Sequence, residues 1–354
     1  MNYQELMHSI IQRIATGPDL SKNIDFEEAK NAMHGVLRGE IDDVQSAVFL
    51  ISLRMKRETM EENKGILAAV LEESNKLKVK VDNLVDLGDP YSGYNRSIPV
   101  SSFLPPLLAE LGLPTVIHGL DSVSPKYGLT HRHIYESLGL DVSHTTSDAK
   151  KRLEDSNLGW AYVDQKSYCQ ELYNLVPLRN LIIKRTVINT IETLIAPLRG
   201  NNTHSIIGYV HKPYPPKYAE LADFAGVNTS LLIRGVEGGV VPSLRQKGLM
   251  ISYKGNKERE RVEIDPTSLG IKQDLRAISF PKSFDIKHNI KDLAEYTTNL
   301  GMAALSGEKG MYYDGLLYSS SLIMWHLDMA PTIKDAAEMV RDKLDSRKAL
   351  ERLT

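Results

Sequence analysis

Along the chain, apolar positions recur first with a helical period and then in short buried runs, and the change falls near residue 75. In the first segment Leu6, Ile10, Ile11 and Ile14 form one stripe, which Gly17-Pro18 ends. Asp25 with Glu28 has capping-box spacing and opens a helix that runs to about Leu37 and stops at Gly39. A third helix starts after Asp42-Asp43. Val44, Ala47, Val48, Ile51 and Met55 fall at i, i+3, i+4, i+7 and i+11 as its apolar face, with Arg54, Lys56, Arg57 and Glu58 around its far end.

Beyond residue 79 the runs alternate with amphipathic stretches, the pattern of an α/β domain with a largely parallel central sheet. Strands are expected at 84–87, 115–117, 160–163, 205–210 and 230–233, with helices at 99–111, 131–138, 170–180 and 216–224 between them. The stretch LMISYKGNKERERVEIDP reads as a hairpin turning at Lys254-Gly255-Asn256-Lys257, its Lys and Arg residues forming a solvated face. Thr332 and Asp335 cap a last helix with Ala336, Met339, Val340 and Leu344 inward. The expected domains are a helical one over 1–75 and an α/β ligand-binding one over 76–354, the helices of 170–193 being free to pack against the first.

Ligands of such sheets bind at the carboxyl ends of the strands, where two polar loops emerge. One, in VIHGLDSVSPKYGLTHRHIYESLG, sets His118, Gly119, Ser122, Ser124, Lys126 and Gly128 between an apolar strand and a helix that begins near Thr130 or His131. Small residues and donors at that place present N–H groups to an anion. The alternative is a polar surface loop. The other, DLGDPYSGYNRS, sets Gly93, Tyr94, Asn95 and Arg96 directly before a helix. With Lys126, His131, Arg132 and His133 they form a basic and aromatic collection suited to a ribose phosphate or a stacked base, each histidine having a capping or surface role as its alternative.

The 43 basic and 45 acidic residues among 354 give a formal net charge of −2, so no global positive field draws the chain to nucleic acid, although a local patch stays open. Cys169 is the single cysteine, which leaves no intramolecular disulfide and no multi-cysteine metal site and suits a cytoplasmic setting. No apolar run approaches the roughly 20 residues of a membrane span, and the amphipathic start with Glu5 is unlike a secretory leader.

Several ordered pieces resemble the anthranilate phosphoribosyltransferases of glycosyltransferase family 3. The pattern HG–SVS–K–G is similar to the family's phosphoribosyl-diphosphate loop, and VQSAVFLISLRMKRETMEEN to its Q-x-A-x-L-x-A-L-R-x-K-x-E-T helix. VPLRNLIIKRTVINTIETLIAPL resembles the P-V-R…R-T-I-F-N…G-P-L segment through Pro177, Arg179, Arg185, Thr186 and Asn189, and IRGVEGG resembles the V-H-G-x-D-G turn. The resemblance implies a small N-terminal helical domain, which makes the family's dimer contact, plus a larger α/β domain of the nucleoside phosphorylase/phosphoribosyltransferase type. It also places Arg179 near an acceptor's carboxylate, with a helix-surface salt bridge as the alternative.

Three departures bear on function. Where the family has G-T-G-G-D-G, this chain has Asp86-Leu87-Gly88-Asp89-Pro90-Tyr91-Ser92-Gly93; the proline removes an N–H, and Tyr91 and Tyr94 fill space a phosphate needs. The family's K-H-G-N-R becomes Ile117-His118-Gly119-Leu120-Asp121, which loses cations and gains an acid. Val240 and Val241 stand where an Asp-Glu pair holds Mg²⁺ on the diphosphate, and two valines cannot ligate magnesium. No metal ligand or cofactor is evident, and Mg²⁺ is expected only if transferase activity persists. The resulting reading is a divergent relative, homodimeric through its N-terminal helices, that binds a phosphorylated, phosphoribosyl or nucleotide-like molecule and has lost Mg-dependent anthranilate phosphoribosyl transfer. Its alternatives are a genuine transferase with altered metal or acceptor use and a non-catalytic nucleic-acid-binding relative, the latter disfavoured by the near-neutral charge.

Overall fold

The computed structural model describes residues 2–17 and 19–353. The apolar stripes of the first segment close into four helices, α1 (Tyr3–Ile14), α2 (Phe26–Leu37), α3 (Asp43–Lys56) and α4 (Met60–Glu73). Each has a side-chain cap: Asn2 and Asp42 accept from the first turns of α1 and α3, and Asp25–Glu28 and Thr59–Glu62 form complete capping boxes. Pro18, expected to help end the first helix, lies outside the described residues. The inward face of α3 differs from the expected stripe, for Phe49, Leu50 and Leu53 are buried while Val44 and Met55 are 74% and 72% exposed. Two overlapping stripes share this helix, and the interior takes the bulkier one.

The strands are β1 (Leu77–Lys78), β2 (Asn83–Gly88), β3 (Thr115–Gly119), β4 (Trp160–Asp164), β5 (Leu198–Arg199), β6 (Asn202–Tyr209), β7 (Thr229–Arg234), β8 (Gly248–Lys254) and β9 (Lys257–Ile264). β1 pairs with β5 alone; the other seven form one sheet in the order β4-β3-β2-β6-β7-β8-β9. Five of its strands are parallel, and the β8–β9 hairpin extends it antiparallel. Alternate residues feed two cores. Leu84, Val116, Ile207 and Leu232 join the core shared with the four-helix bundle, whereas Val85, Ile117, Ile206 and Leu231 join the one on the other face.

Helices α5 (Leu104–Glu110), α6 (His131–Ser137) and α7 (Thr146–Glu154) connect β2 through β3 to β4. The expected helix at 99–111 opens as a 3₁₀ turn over Val100–Phe103, because Pro105 and Pro106 offer no N–H to the carbonyls before them. After β4 come α8 (Gln165–Tyr168), α9 (Gln170–Tyr173), α10 (Val176–Ile182) and α11 (Ile188–Ile191). The single helix expected at 170–180 is thus two, broken before Pro177. Of these, α10 packs on α3 and α11 on α4. Then α12 (Tyr214–Phe224) joins β6 to β7, and α13 (Ile290–Leu305), α14 (Met311–His326), α15 (Ile333–Asp345) and α16 (Lys348–Glu351) complete the second core. On α15, Ala336, Val340 and Leu344 are buried as expected, but Met339 sits at the edge of the stripe and is 42% exposed. Among the described residues no helix is long and apolar enough to cross a membrane.

A hydrogen-bonded line of polar side chains runs under the starts of the strands. With both imidazoles neutral, its direction is fixed by Asn83 Oδ1, which can only accept: His204 Nε2 donates to it at 3.0 Å, so His204 Nδ1 takes the Thr229 proton at 2.8 Å. Thr229 Oγ1 then accepts from His326 Nε2 at 2.9 Å, and His326 Nδ1 accepts from Ser252 at 2.8 Å. Burial pushes His204 down to about 4; burial, then His204 and Arg259, push His326 down to about 3. The unfolded chain takes up these protons near the ordinary 6.5, so between pH 6.5 and 4 the unfolded state binds more protons and stability falls as the pH falls. From pH 7 to 5 the loss is about 2 kcal/mol per histidine. Chemical denaturation of His204→Asn and His326→Asn at both pH values should therefore show a shallower fall than the unsubstituted protein; an equal fall refutes the buried neutral state.

Candidate functional site

The strands β2, β3, β6 and β7 end on one edge of the sheet, and the loops leaving them pack on each other. The first loop (89–99) and the second (120–130) are joined by a reciprocal bridge, Tyr94 N–H to Leu129 O at 3.0 Å and Leu129 N–H to Tyr94 O at 2.7 Å. A Cβ on Gly128 would lie 2.5 Å from the Tyr94 backbone, so glycine is what lets the loops touch. The turn after β7 (235–242) crosses both, and at Gly239 a Cβ would meet the Tyr94 hydroxyl at 1.7 Å.

Two carboxylates sit inside this arrangement. Asp89 is 1% exposed, and its Oδ2 accepts from Tyr94 Oη at 2.8 Å, from His131 Nε2 at 2.9 Å and from the Ser101 hydroxyl, while its Oδ1 accepts from the Val240 N–H at 2.9 Å. Burial alone would raise this carboxyl, but His131, Ser101 and Tyr94 together hold it below its ordinary value. Glu237 folds back from a left-handed backbone position, φ 55°, flanked by Gly238 at φ 87°. Its carboxylate accepts from the N–H groups of Asn95, Arg96 and Ser97 at 3.3, 2.9 and 2.9 Å, from the Ser97 hydroxyl at 2.9 Å and from Lys126 Nζ at 3.2 Å. Burial raises Glu237, and Lys126 followed by the Asn95 and Ser97 donors outweighs it, for a net lowering. Lys126 also reaches Gly93 O at 3.1 Å and lies over the Tyr94 ring at 5.6 Å; burial lowers its ammonium despite the Glu237 partner.

Most of the remaining residues singled out from sequence are engaged by the chain itself. His118 sits between Asp86, 3.2 Å away, and Tyr91, whose hydroxyl also meets Tyr168 in a fully buried line. Gly119 ends β3 opposite Asp164. Ser122 is half-buried in the second loop. Ser124 is buried, and its hydroxyl donates to Arg179 O at 2.6 Å and its N–H to Asn180 Oδ1 at 3.0 Å. Arg132 turns away to Asp164 at 2.7 Å and Glu136 at 2.9 Å. Arg179 is buried in a bidentate pair with Glu192 at 2.8 and 2.9 Å, rather than exposed in a helix-surface salt bridge. Asn95 and Arg96 keep their side chains exposed while their backbones serve Glu237.

Ser102, His131 and Asp89 share the connectivity of a hydrolytic triad, with Ser102 Oγ 2.8 Å from His131 Nδ1. Ser102 has no exposure, however, and Asp89 already serves four donors, so the constellation holds loops together. The donor set also does not fit Mg²⁺. Val240 is buried with its N–H on Asp89, Val241 has no side-chain oxygen and its carbonyl accepts from the Val236 N–H at 3.0 Å, and the oxygens of Asp89 and Glu237 are taken up by protein donors. Among the described residues no group of three His, Cys, Asp or Glu side chains is placed to share a metal ion. Beside Tyr94 and Ser97 a cavity of only about 20 Å³ remains, room for about one water. Sequence reasoning missed Ser97, Ser101 and the inward fold of Glu237. The signal was present in Gly235-Val236-Glu237-Gly238-Gly239, an acid inside a run of glycines that permits left-handed backbone.

A helical bundle set against a mostly parallel α/β domain, with anion-holding loops at the strand ends, defines a phosphoribosyltransferase-type glycosyltransferase architecture. The helical-bundle domain of the glycosyl transferase family matches residues 8–74 and its a/b domain residues 88–350, and the chain belongs to this family. An uncharacterized protein of Aquifex aeolicus is 27% identical over 95% of this chain and 98% of its own length. The anthranilate phosphoribosyltransferase of Bacillus mycoides is 28% identical over 98% and 96%. Among solved structures, anthranilate phosphoribosyltransferase from Saccharomyces cerevisiae in complex with PRPP and Mg superposes with a TM-score of 0.79 at 17% identity, covering 99% of this chain and 96% of that one.

Proposed function

We propose that this family member binds a phosphorylated small molecule, of phosphoribosyl or nucleotide type, between the first and second loops, and that Mg-dependent anthranilate phosphoribosyl transfer has been lost. The observation that carries the reading is the Glu237 carboxylate. Three successive backbone N–H groups, a hydroxyl and an ammonium converge on it, and a phosphate oxygen has the same requirements. Glu237 is thus a built-in stand-in for the ligand's anion, and the ligand displaces it. Asn95, Arg96, Ser97 and Lys126 form this cradle with Gly93 and Tyr94 beside the ammonium, and His118, Gly119, Ser122, Ser124, His131 and Arg132 belong to the strand end, loop and helix start that shape it. Exposed Arg96, Arg185, Lys212 and Arg234 on the loops and strand ends of the same edge attract an anion locally although the net charge is −2. The relatives named anthranilate phosphoribosyltransferase, one of them solved with PRPP and Mg, support the ligand class. The two valines and the protein donors that occupy the Asp89 and Glu237 oxygens support a loss of transfer, because the leaving diphosphate needs metal or cationic stabilisation.

The test titrates phosphate and ribose 5-phosphate into the wild type, Glu237→Gly, and Glu237→Gly with Lys126→Ala. Glycine removes the carboxylate and suits the positive φ, so affinity should rise at least tenfold in the first variant and fall back in the second. Equal affinity for wild type and Glu237→Gly would falsify the cradle. Oligonucleotide binding without ribose 5-phosphate binding would transfer the cleft to nucleic acid, which the same exposed cations favour. With anthranilate, PRPP and Mg²⁺ no turnover is expected in the ordinary range of about 1–1,000 per second, and turnover in that range restores the transferase reading.

We also infer a homodimer through α3. Val44, Val48 and Met55 leave an apolar strip on its outer side, and Leu181 and Ile183, 77% and 62% exposed, adjoin it from the end of α10. Sedimentation of the wild type at micromolar concentration should give twice the 39.6 kDa chain mass, and Val44→Glu with Met55→Glu should give the monomer. A monomeric wild type rejects the dimer.

A further inference from the structure

On the edge of the sheet opposite the cleft lies a cavity of about 480 Å³ between the β8–β9 hairpin and the end of α14. Its floor residue Ser252 pairs with Leu231, three residues and so roughly 10 Å before the cleft end of β7. Its floor is Ser252 with His326, its apolar wall includes Trp325, Met329 and Pro331, and Glu260 lies at its rim. Ser252 and Glu260 are cross-strand partners, so their side chains share one face of the hairpin.

The hydrogen-bond direction set at Asn83 decides what the floor can offer. Ser252 gives its only proton to His326 Nδ1, which leaves oxygen lone pairs for anything that enters. At the rim Asp328 is neutralised by Arg259 through two contacts of 3.1 and 3.2 Å. Glu260 has no ion pair among the described residues and carries the uncompensated charge. An acceptor at the floor, a free carboxylate at the rim and an indole in the wall complement a donor that is positively charged and attached to a flat apolar body.

We propose that this cavity is a second ligand site, for a small organic cation: a protonated amine on an aromatic or similarly flat body, its ammonium between Ser252 Oγ and Glu260 and its body against Trp325. The site is independent of the cleft and of the phosphorylated ligand proposed there.

The probes are phenethylamine, its neutral isostere 2-phenylethanol and its anionic counterpart 3-phenylpropionate, titrated calorimetrically into the full-length protein at millimolar concentration. The amine should bind at least tenfold more tightly than the alcohol, and the carboxylate should not bind. Glu260 is exposed, so Glu260→Gln keeps the fold and should erase the preference for the amine over the alcohol. Ser252→Ala should weaken the amine, with thermal melting confirming that the variant is folded. Equal binding of amine and alcohol by the wild type, amine binding unchanged by Glu260→Gln, or no binding of any probe overturns the site. Amine binding that is unaltered by saturating ribose 5-phosphate and by Glu237→Gly separates this site from the cleft, and competition between the two ligands overturns their independence.

Discussion

Two carboxylates that have left water govern the carboxyl end of the sheet. Desolvating an ion costs several kcal/mol unless hydrogen bonds replace its hydration. Asp89 therefore needs donors in fixed positions, and the four it has come from the first loop, the 3₁₀ turn after it, the start of α6 and the turn after β7. Glu237 binds the same turn back to the first loop from the outside, and Lys126 of the second loop closes the ring. None of these segments has much regular structure of its own. Their common shape is set by the requirement that neither charge be left unsatisfied.

The sheet was legible because strands buried on both faces read as short, mainly apolar runs, and 84–87, 160–163 and 230–233 each lie within an observed strand, with Asp86 and Ser230 the polar members. Helices were legible as existing but not always in detail. On α3 the heptad-like spacing of Val44, Val48, Ile51 and Met55 competes with Phe49, Leu50 and Leu53, and periodicity alone does not weigh residue size. Pro177 breaks the region that a helical period makes look continuous, since a pattern of side chains says nothing about a missing N–H.

At the cleft, sequence identified the loops but not where their side chains turn. Arg132 and Arg179 look like free cations on paper, yet Asp164 is 32 residues from the first and Glu192 is 13 from the second, and only the fold brings each pair together. The bond from Ser97 to Glu237 spans 140 residues, so no local pattern announces it. His118 likewise has the look of a phosphate ligand until Asp86 and Tyr91 occupy both ring nitrogens.

The departures from the family pattern are mutually consistent rather than three separate losses. Carboxylates at 240 and 241 would add two negative charges beside Asp89 and Glu237, where Lys126 is the ammonium in contact with Glu237. Valine at 240 instead contributes its side chain to the core under the sheet and its N–H to Asp89. Tyr94 uses the space above that N–H to donate to the same carboxylate, and Gly239 is the residue small enough to pass beneath the tyrosine hydroxyl. Each of these residues supplies a hydrogen bond or a close approach that the buried Asp89 carboxylate needs. Local and global requirements then agree, which is the condition for a single well-defined loop arrangement. Among the described residues the two centres share no hydrogen bond: Glu237 is held from outside by the 95–97 backbone and Lys126, and Asp89 from within by Tyr94, Ser101, His131 and the Val240 N–H.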